Sequence, residues 1–176
     1  MKRNEKADDQ NVKIRSYQPG DIGYVAYLHG KIYEETYGFG QTFEYYVLKG
    51  LTEFLESPEG GGLWIAEVNG EIAGSIAITQ YDQRQAQLRW FIMAEHHQGL
   101  GIGKKLMDQA IVYCKESGYE RVFLWTVNTL EAARYLYQKY GFQLLEEKTN
   151  ETWTDDPLVE ELWNLDFPNQ MSLGSD

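Results

Sequence analysis

Gln98-Gly99-Leu100-Gly101-Ile102-Gly103 follows an apolar run that ends at Met93 and precedes an amphipathic segment that begins at Lys104. This order predicts a strand, a glycine-rich loop and the start of a helix. Glycines lack Cβ atoms, so that backbone N–H groups can converge on a bound anion, and the positive end of the helix dipole points to the same place. The expected occupant of this loop is a phosphate or a pyrophosphate.

Two other phosphate-binding loops do not fit these letters. The chain contains no Gly-x-x-x-x-Gly-Lys-Ser/Thr, and the spacing Gly99-x-Gly101-x-Gly103 is not Gly-x-Gly-x-x-Gly. Nucleotide hydrolysis and dinucleotide binding are therefore disfavoured. Glycines that serve only the geometry of a tight strand-to-helix connection are the alternative interpretation.

Two motifs together resemble the GNAT superfamily of N-acetyltransferases. Gln98, Gly101 and Gly103 fill the defined positions of its Gln/Arg-x-x-Gly-x-Gly/Ala loop. Downstream, Tyr135-Leu136-Tyr137-Gln138-Lys139-Tyr140-Gly141-Phe142 is similar to the family's Leu-Tyr-x-Lys-x-Gly-Phe signature. Leu124-Trp125-Thr126 resembles a strand of the acetyltransferase domains that are fused to MarR-type regulators in some bacteria.

The periodicity of apolar residues predicts the order β-α-α-β-β-β-α-β-α-β-β, which is also the GNAT order. The expected fold class is α/β (α+β), with a mixed, mostly antiparallel sheet flanked by helices. We expect a disordered N-terminal tail at 1–11, one acetyltransferase domain at 12–167 and a flexible C-terminal tail at 168–176. The predicted elements are strands at 12–17, 63–68, 72–79, 84–94, 121–126, 142–146 and 162–167, and helices at 21–35, 41–56, 104–117 and 130–140.

The resemblance implies acetyl-CoA as cosubstrate. In this family the end of the fourth strand pairs with the pantetheine arm, the glycine loop holds the pyrophosphate, and a small residue lies where the later helix approaches the cofactor. The residues that match these positions are Ile92, Met93, Ala94, Gln98, Gly99, Leu100, Gly101, Ile102, Gly103, Lys104 and Ala133.

Tyr137 aligns with the family tyrosine that protonates the departing thiolate. The unperturbed pKa of tyrosine, near 10, suits a general acid. Packing of an aromatic ring on the sheet is the alternative role. The chain departs from the family at Leu130, where an Asn that contacts CoA is frequent, and Asn128 is two residues too early to replace it.

The general base is less clearly defined by the sequence. Glu95 is the candidate, and His96, His97 or a water molecule are the alternatives. The three residues directly follow the predicted strand. His29 is interpreted as a surface or packing residue. We expect no metal site, because no spacing of His, Cys, Asp and Glu resembles one.

The composition excludes several classes of function. The net charge of −11 disfavours nucleic-acid binding. No apolar stretch is long enough to span a membrane and the first residues do not form a signal peptide, so that we expect no membrane partner and a cytoplasmic location. The single cysteine, Cys114, is expected in the core rather than as a reactive thiol.

The acids are unevenly distributed. Residues 21–60 contain seven acids and two bases, and residues 144–166 contain eight acids and one base. In the family, the positions of the two helices at 21–56 and of the segment at 148–161 wall the acceptor side, and aromatic residues lie among the acids: Tyr33, Tyr37, Phe39, Phe43, Tyr45, Tyr46 and Trp153. The predicted function is acetyl transfer to a cationic primary amine of a small molecule or a peptide. A noncatalytic acyl-CoA sensor, a longer acyl group and a homodimer remain open.

Overall fold

The computed structural model describes residues 11–97 and 99–168. Its elements are β1 (Val12–Ser16), α1 (Asp21–Tyr37), α2 (Gln41–Glu56), β2 (Gly62–Val68), β3 (Glu71–Gln80), β4 (Gln85–Met93), α3 (Ile102–Glu116), β5 (Arg121–Val127), α4 (Glu131–Tyr140), β6 (Gln143–Asn150) and β7 (Leu158–Asp166). A single 3₁₀ turn, Glu95–His97, follows β4. The predicted order and fold class are confirmed. Gln98 and residues 1–10 and 169–176 of the predicted tails lie outside the described residues.

Several elements are longer than the sequence pattern indicates. Strand β6 extends to Asn150, and β7 begins at Leu158. Lys148 and Glu160 pair across these two strands, and such charged residues interrupt the apolar alternation that predicts a strand. Helix α1 continues to Tyr37 and ends at Gly38, which adopts a left-handed conformation with φ of 72°. Helix α3 begins at Ile102 rather than at Lys104.

The seven strands form one sheet in the order β1-β2-β3-β4-β5-β7-β6. All neighbouring pairs are antiparallel except β4 and β5. The turn between β2 and β3 has positive φ angles at Asn69 (53°) and Gly70 (83°), as a two-residue hairpin of this composition requires.

Helices cover both faces of the sheet. Alternate residues of β2 divide between two apolar clusters: Trp64 and Ala66 belong to the cluster that includes α3, and Leu63 and Ile65 to the one that includes α1 and α2. Cys114 is fully buried in the first of these clusters, as expected for a core residue. Within the described ranges, no helix has the length and apolarity needed to cross a bilayer.

Two irregularities of β4 open the sheet at one end. Ser75 pairs with Ile92 and Ala77 with Arg89, so that Trp90 and Phe91 form a bulge opposite one residue of β3. Trp90 has a φ of 45°, and its carbonyl accepts a hydrogen bond of 2.7 Å from the Ser75 hydroxyl. Beyond residue 87, β4 no longer pairs with β5, since only 85–87 align with 121–123. The two strands therefore separate towards their carboxyl ends.

Candidate active site

A cavity of about 480 Å³ opens where β4 and β5 separate. Helices α1, α2 and α4 and the segment around Trp153 complete its walls. Four predicted site residues line it: Ile92, Met93, Ala133 and Tyr137. Ala94 does not, and its backbone is already used, because its N–H donates to Ala73 and its carbonyl accepts from His97.

The glycine loop leads directly into helix α3. Gly99 and Gly101 have φ angles of 83° and 72°, a region that side chains with a Cβ rarely occupy. Gly101 is the N-cap residue of α3, so the N–H groups of the first turn have no intrahelical acceptor. Lys104 lies in that turn, and its ammonium pairs with Asp108 at 3.0 Å. The described part of the loop thus has the geometry of an anion site at a helix N-terminus.

Gly103 packs closely against the side chain of Met93. It lies within the helix, where an added Cβ would stand 2.9 Å from Sδ and 3.2 Å from Cε of Met93. The missing side chain therefore lets α3 pack closely against β4. Because Met93 also lines the cavity, this contact joins the glycine loop to the cavity wall.

Of the three tyrosines on α4, only Tyr137 lines the cavity. It is 5% exposed, and its ring centroid lies 6.2 Å from that of Phe91. Burial, and secondarily the nearby Tyr33, raise the pKa of Tyr137, so the phenol keeps its proton at neutral pH. Tyr135 is 63% exposed, and the hydroxyl of Tyr140 donates to Asp108 and to the carbonyl of Lys104.

A buried carboxylate positions α4 on the sheet. Glu161 of β7 is 1% exposed and accepts hydrogen bonds of 3.0 Å from Arg134 Nε and from Trp163 Nε1. Arg134 lies one turn before Tyr137 on the same helix. Asn128 is occupied elsewhere, since its side-chain oxygen accepts from the N–H of Val159. This agrees with the expectation that Asn128 does not replace the family Asn.

None of the three candidate bases lines the cavity. Glu95 is exposed and accepts a hydrogen bond of 3.2 Å from the hydroxyl of Thr36. The pKa of Tyr37, which lines the cavity, is raised mainly by burial and secondarily by the negative charge of Glu95. Glu95 therefore acts electrostatically on a residue of the cavity wall. His96 is exposed, and His97 is buried with its Nε2 3.7 Å from a carboxylate oxygen of Glu71.

The 3₁₀ turn after β4 also brings together three side chains of metal-ligating types, and the spacing of these residues in the sequence did not indicate this. One ligand atom each of Glu71, His96 and His97 lies within 4.8 Å of the others. Glu71 is distant in sequence and reaches the histidines only through the pairing of β3 with β4. The cluster lies outside the cavity walls.

The acid-rich regions contribute aromatic rings to the cavity rather than carboxylates. All the interleaved aromatics except Tyr45 line it: Tyr33, Tyr37, Phe39, Phe43, Tyr46 and Trp153. Glu160 is the one acid among the described lining residues, and it pairs with Lys148 at 3.7 Å. The glutamates of α1 and α2 are therefore on the outer surface and not in the wall, and Asp21 is buried in an ion pair with Arg15.

Two lining residues, His29 and Arg89, were not assigned to the site from the sequence. His29 is 4% exposed, and its Nδ1–H donates to the carbonyl of Val25 at 2.8 Å. Burial lowers the pKa of His29 to about 4, so that the imidazole is neutral at pH 7. The spacing of Val25 and His29 by four residues, on the buried stripe of α1, was the available signal for the histidine.

We expect acid to destabilise the fold through His29. The imidazole protonates near pH 6.5 in the unfolded chain but only near pH 4 in the folded protein, so stability falls as the pH decreases between these values. The 2.5-unit difference corresponds to a loss of about 3 kcal/mol in the free energy of unfolding. Urea unfolding at pH 7 and pH 4 would show this loss in the wild type and a smaller one in His29→Gln. The exposed His96→Gln is the control, and equal losses in all three proteins would contradict the assignment.

Comparison with known proteins matches this architecture to one family. Residues 24–142 match the sequence profile described as the Acetyltransferase (GNAT) family. N-acetyltransferase 8 of Rattus norvegicus is 33% identical over 128 residues, which represent 66% of this chain and 56% of the rat protein. The chain spans about half the length, or less, of the curated relatives it matches first.

Two solved structures share the fold. A GNAT family acetyltransferase from Staphylococcus aureus Mu50 has a TM-score of 0.73 and 21% identity, with 88% of this chain and 98% of that chain covered. A GNAT family acetyltransferase from Elizabethkingia anophelis with acetyl-CoA bound has a TM-score of 0.65 and 22% identity, with 89% and 99% covered. At such identities the likeness concerns the fold alone. Since the profile covers more than half of the 176 residues, the chain belongs to the acetyltransferase (GNAT) family.

Proposed function

We propose that the protein is an acetyl-CoA-dependent N-acetyltransferase that transfers acetyl directly to a primary amine. The observation that carries this proposal is the connection between the glycine loop and Tyr137. Met93 packs on Gly103 at the start of α3 and lines the cavity whose wall also contains the buried phenol. The proposed anion-binding loop and the protonated phenol of Tyr137 therefore adjoin the same cavity.

The residues present fit acetyl-CoA. We propose that the loop from Gln98 to Lys104 binds the pyrophosphate, and that the backbone of Ile92 and Met93 binds the pantetheine arm where β4 lacks a neighbouring strand. Ala133 provides a small side chain in the wall near Tyr137. When bound, acetyl-CoA supplies the acetyl group as an activated thioester.

The protein's own groups then act by positioning and by moving two protons. The amine nitrogen forms a bond to the carbonyl carbon as the carbon–sulfur bond breaks. Tyr137 donates its proton to the departing sulfur and regains one from solvent. We assign the proton released by the amine to Glu95 through water, because this carboxylate stands beside Thr36 and Tyr37 at the edge of the cavity.

The class of acceptor, the binding partners and the cellular location are also proposals. The acceptor reaches the site as a cationic amine, of a small molecule or a peptide, and the acids on the outer surface of α1 and α2 support this through electrostatic attraction. The net charge of −11 supports a protein without nucleic-acid partners. A cytoplasmic location, a homodimer, the absence of a membrane partner and the likeness to MarR-fused domains stay predictions.

Calorimetry with acetyl-CoA, followed by a CoA-release assay, tests this function. We expect saturable binding of acetyl-CoA and release of CoA with at least one member of a panel of amino acids, polyamines, aminoglycosides and peptide amines. Absence of binding at millimolar acetyl-CoA would contradict the proposal. Binding without CoA release for any amine would favour the noncatalytic sensor, and the absence of all three candidate bases from the residues that line the cavity supports this alternative.

A further inference from the structure

Arg89 lies in the cavity wall, directly before the bulge in β4. Before the bulge, Ala86 and Leu88 face the cluster that includes α3, so that Arg89 faces α1 and α2. Trp90 belongs to the cluster formed with α1 and α2, while Phe91 packs against the other. Arg89 and Trp90 therefore share one face of the sheet, next to the strand end that lines the opening.

The guanidinium of Arg89 is held in a defined slot. Its Cζ lies 4.5 Å from the ring centroid of Trp90. Gly50 of α2 lies beside both side chains: an added Cβ would stand 2.3 Å from Nη2 of Arg89 and 3.1 Å from Cζ2 of Trp90. Glycine inside a helix costs roughly 0.5–1 kcal/mol relative to alanine. The space that it leaves here is occupied by the arginine.

Within the described residues, Arg89 makes neither a hydrogen bond nor an ion pair, whereas Lys148, the other basic lining residue, pairs with Glu160. Burial lowers the pKa of Arg89, and the charge of Glu53 only partly opposes this effect. Arginine nevertheless stays protonated. A half-buried cation without a partner is costly unless a ligand supplies the anion.

We propose that Arg89 binds the carboxylate of the acceptor, which is therefore a free amino acid rather than a polyamine or a peptide amine. This inference rests on the proposed function and narrows its substrate class. The planar guanidinium matches a carboxylate through two parallel hydrogen bonds. The aromatic residues of the wall, with ring centroids 4.7 Å apart for Tyr33 and Phe43, favour an apolar or aromatic side chain on that amino acid.

The test compares three acceptors that differ only near the amine: phenylalanine, phenylalaninamide and phenethylamine. We expect the wild type to acetylate phenylalanine with the highest kcat/KM. Arg89→Gln should lower kcat/KM for phenylalanine roughly 10- to 100-fold, as expected for lost charge-assisted hydrogen bonds, and leave that for phenethylamine nearly unchanged. The KM for acetyl-CoA should not change. Arg84→Gln, at an arginine with 77% of its side chain exposed, is the matched control.

The other possible outcomes distinguish a failure of the carboxylate site from a failure of the acetyltransferase function. Equal effects of Arg89→Gln on all three acceptors, or faster turnover of polyamines than of any amino acid, would overturn the carboxylate site and leave the acetyltransferase function intact. If no amine is acetylated, the proposed function fails, and calorimetry of 3-phenylpropionate and 3-phenylpropionamide with wild-type protein still tests the site. Preferential binding of the acid would support it, and equal or no binding would overturn it. The same wild-type comparison applies if Arg89→Gln does not fold.

Discussion

Replacing Tyr137 by phenylalanine is expected to lower kcat by roughly 10²- to 10⁴-fold, the contribution of a positioned general acid. The phenol keeps its proton because burial raises its pKa, and only its oxygen is lost in the variant. The ring contacts with Phe91 and Phe142 remain, so the KM for acetyl-CoA should change little. Steady-state measurement of CoA release gives both constants.

Tyr135→Phe is the matched control for this substitution. Tyr135 lies on the same helix and is 63% exposed, so that its hydroxyl has no access to the cavity wall. Its removal should leave kcat unchanged. An unaltered kcat in Tyr137→Phe would mean that water protonates the thiolate and that Tyr137 only packs.

Gly101→Val is expected to weaken acetyl-CoA binding by at least roughly 100-fold. Gly101 has a φ of 72°, where a β-branched residue is strongly strained, so that the loop must change conformation to accept valine. That change displaces the first N–H groups of α3 from the anion. Calorimetry with acetyl-CoA measures the loss.

Gly118→Val, just after the C-terminal end of helix α3, is the control. Gly118 follows α3, has a φ of 78°, and like Gly101 has no atom within 4 Å of an added Cβ. The two substitutions therefore impose a similar backbone strain, but only one lies at the proposed phosphate site. Similar losses of affinity in both variants would show that strain on α3, and not the loop, controls binding.

The sequence predicted those parts of the site that depend on local geometry. The glycine loop precedes α3 as expected, and Tyr137 is the only one of the three tyrosines of α4 that lines the cavity, because both features depend on spacing along one element. The side-chain direction of the acids on α1 and α2 could not be predicted, since a charge count does not show which face of a helix carries the charge. The aromatics face the cavity instead.

The remaining features depend on the register between strands. Alternation with Leu88 already directs Arg89 towards α2, but the bulge that places Trp90 on the same face depends on the register with β3 and is not visible in the apolar pattern of β4. The approach of Glu71 to His97 likewise requires the pairing of β3 with β4. His29 was expected as a surface or packing residue, and it is a buried packing residue, because a neutral imidazole needs only a carbonyl acceptor.

The position of β7 has a consequence for the order of folding. Although β7 follows β6 in the chain, it lies between β5 and β6 in the sheet, so β6 joins the rest of the sheet only after residues 158–166 have been synthesised. The same strand carries Glu161, which holds α4 through Arg134. A nascent chain that lacks β7 can already form the β1–β4 meander and the glycine loop, but it cannot fix Tyr137. Tyr137, the proposed general acid, is thus fixed in its place only after β7 has been synthesised.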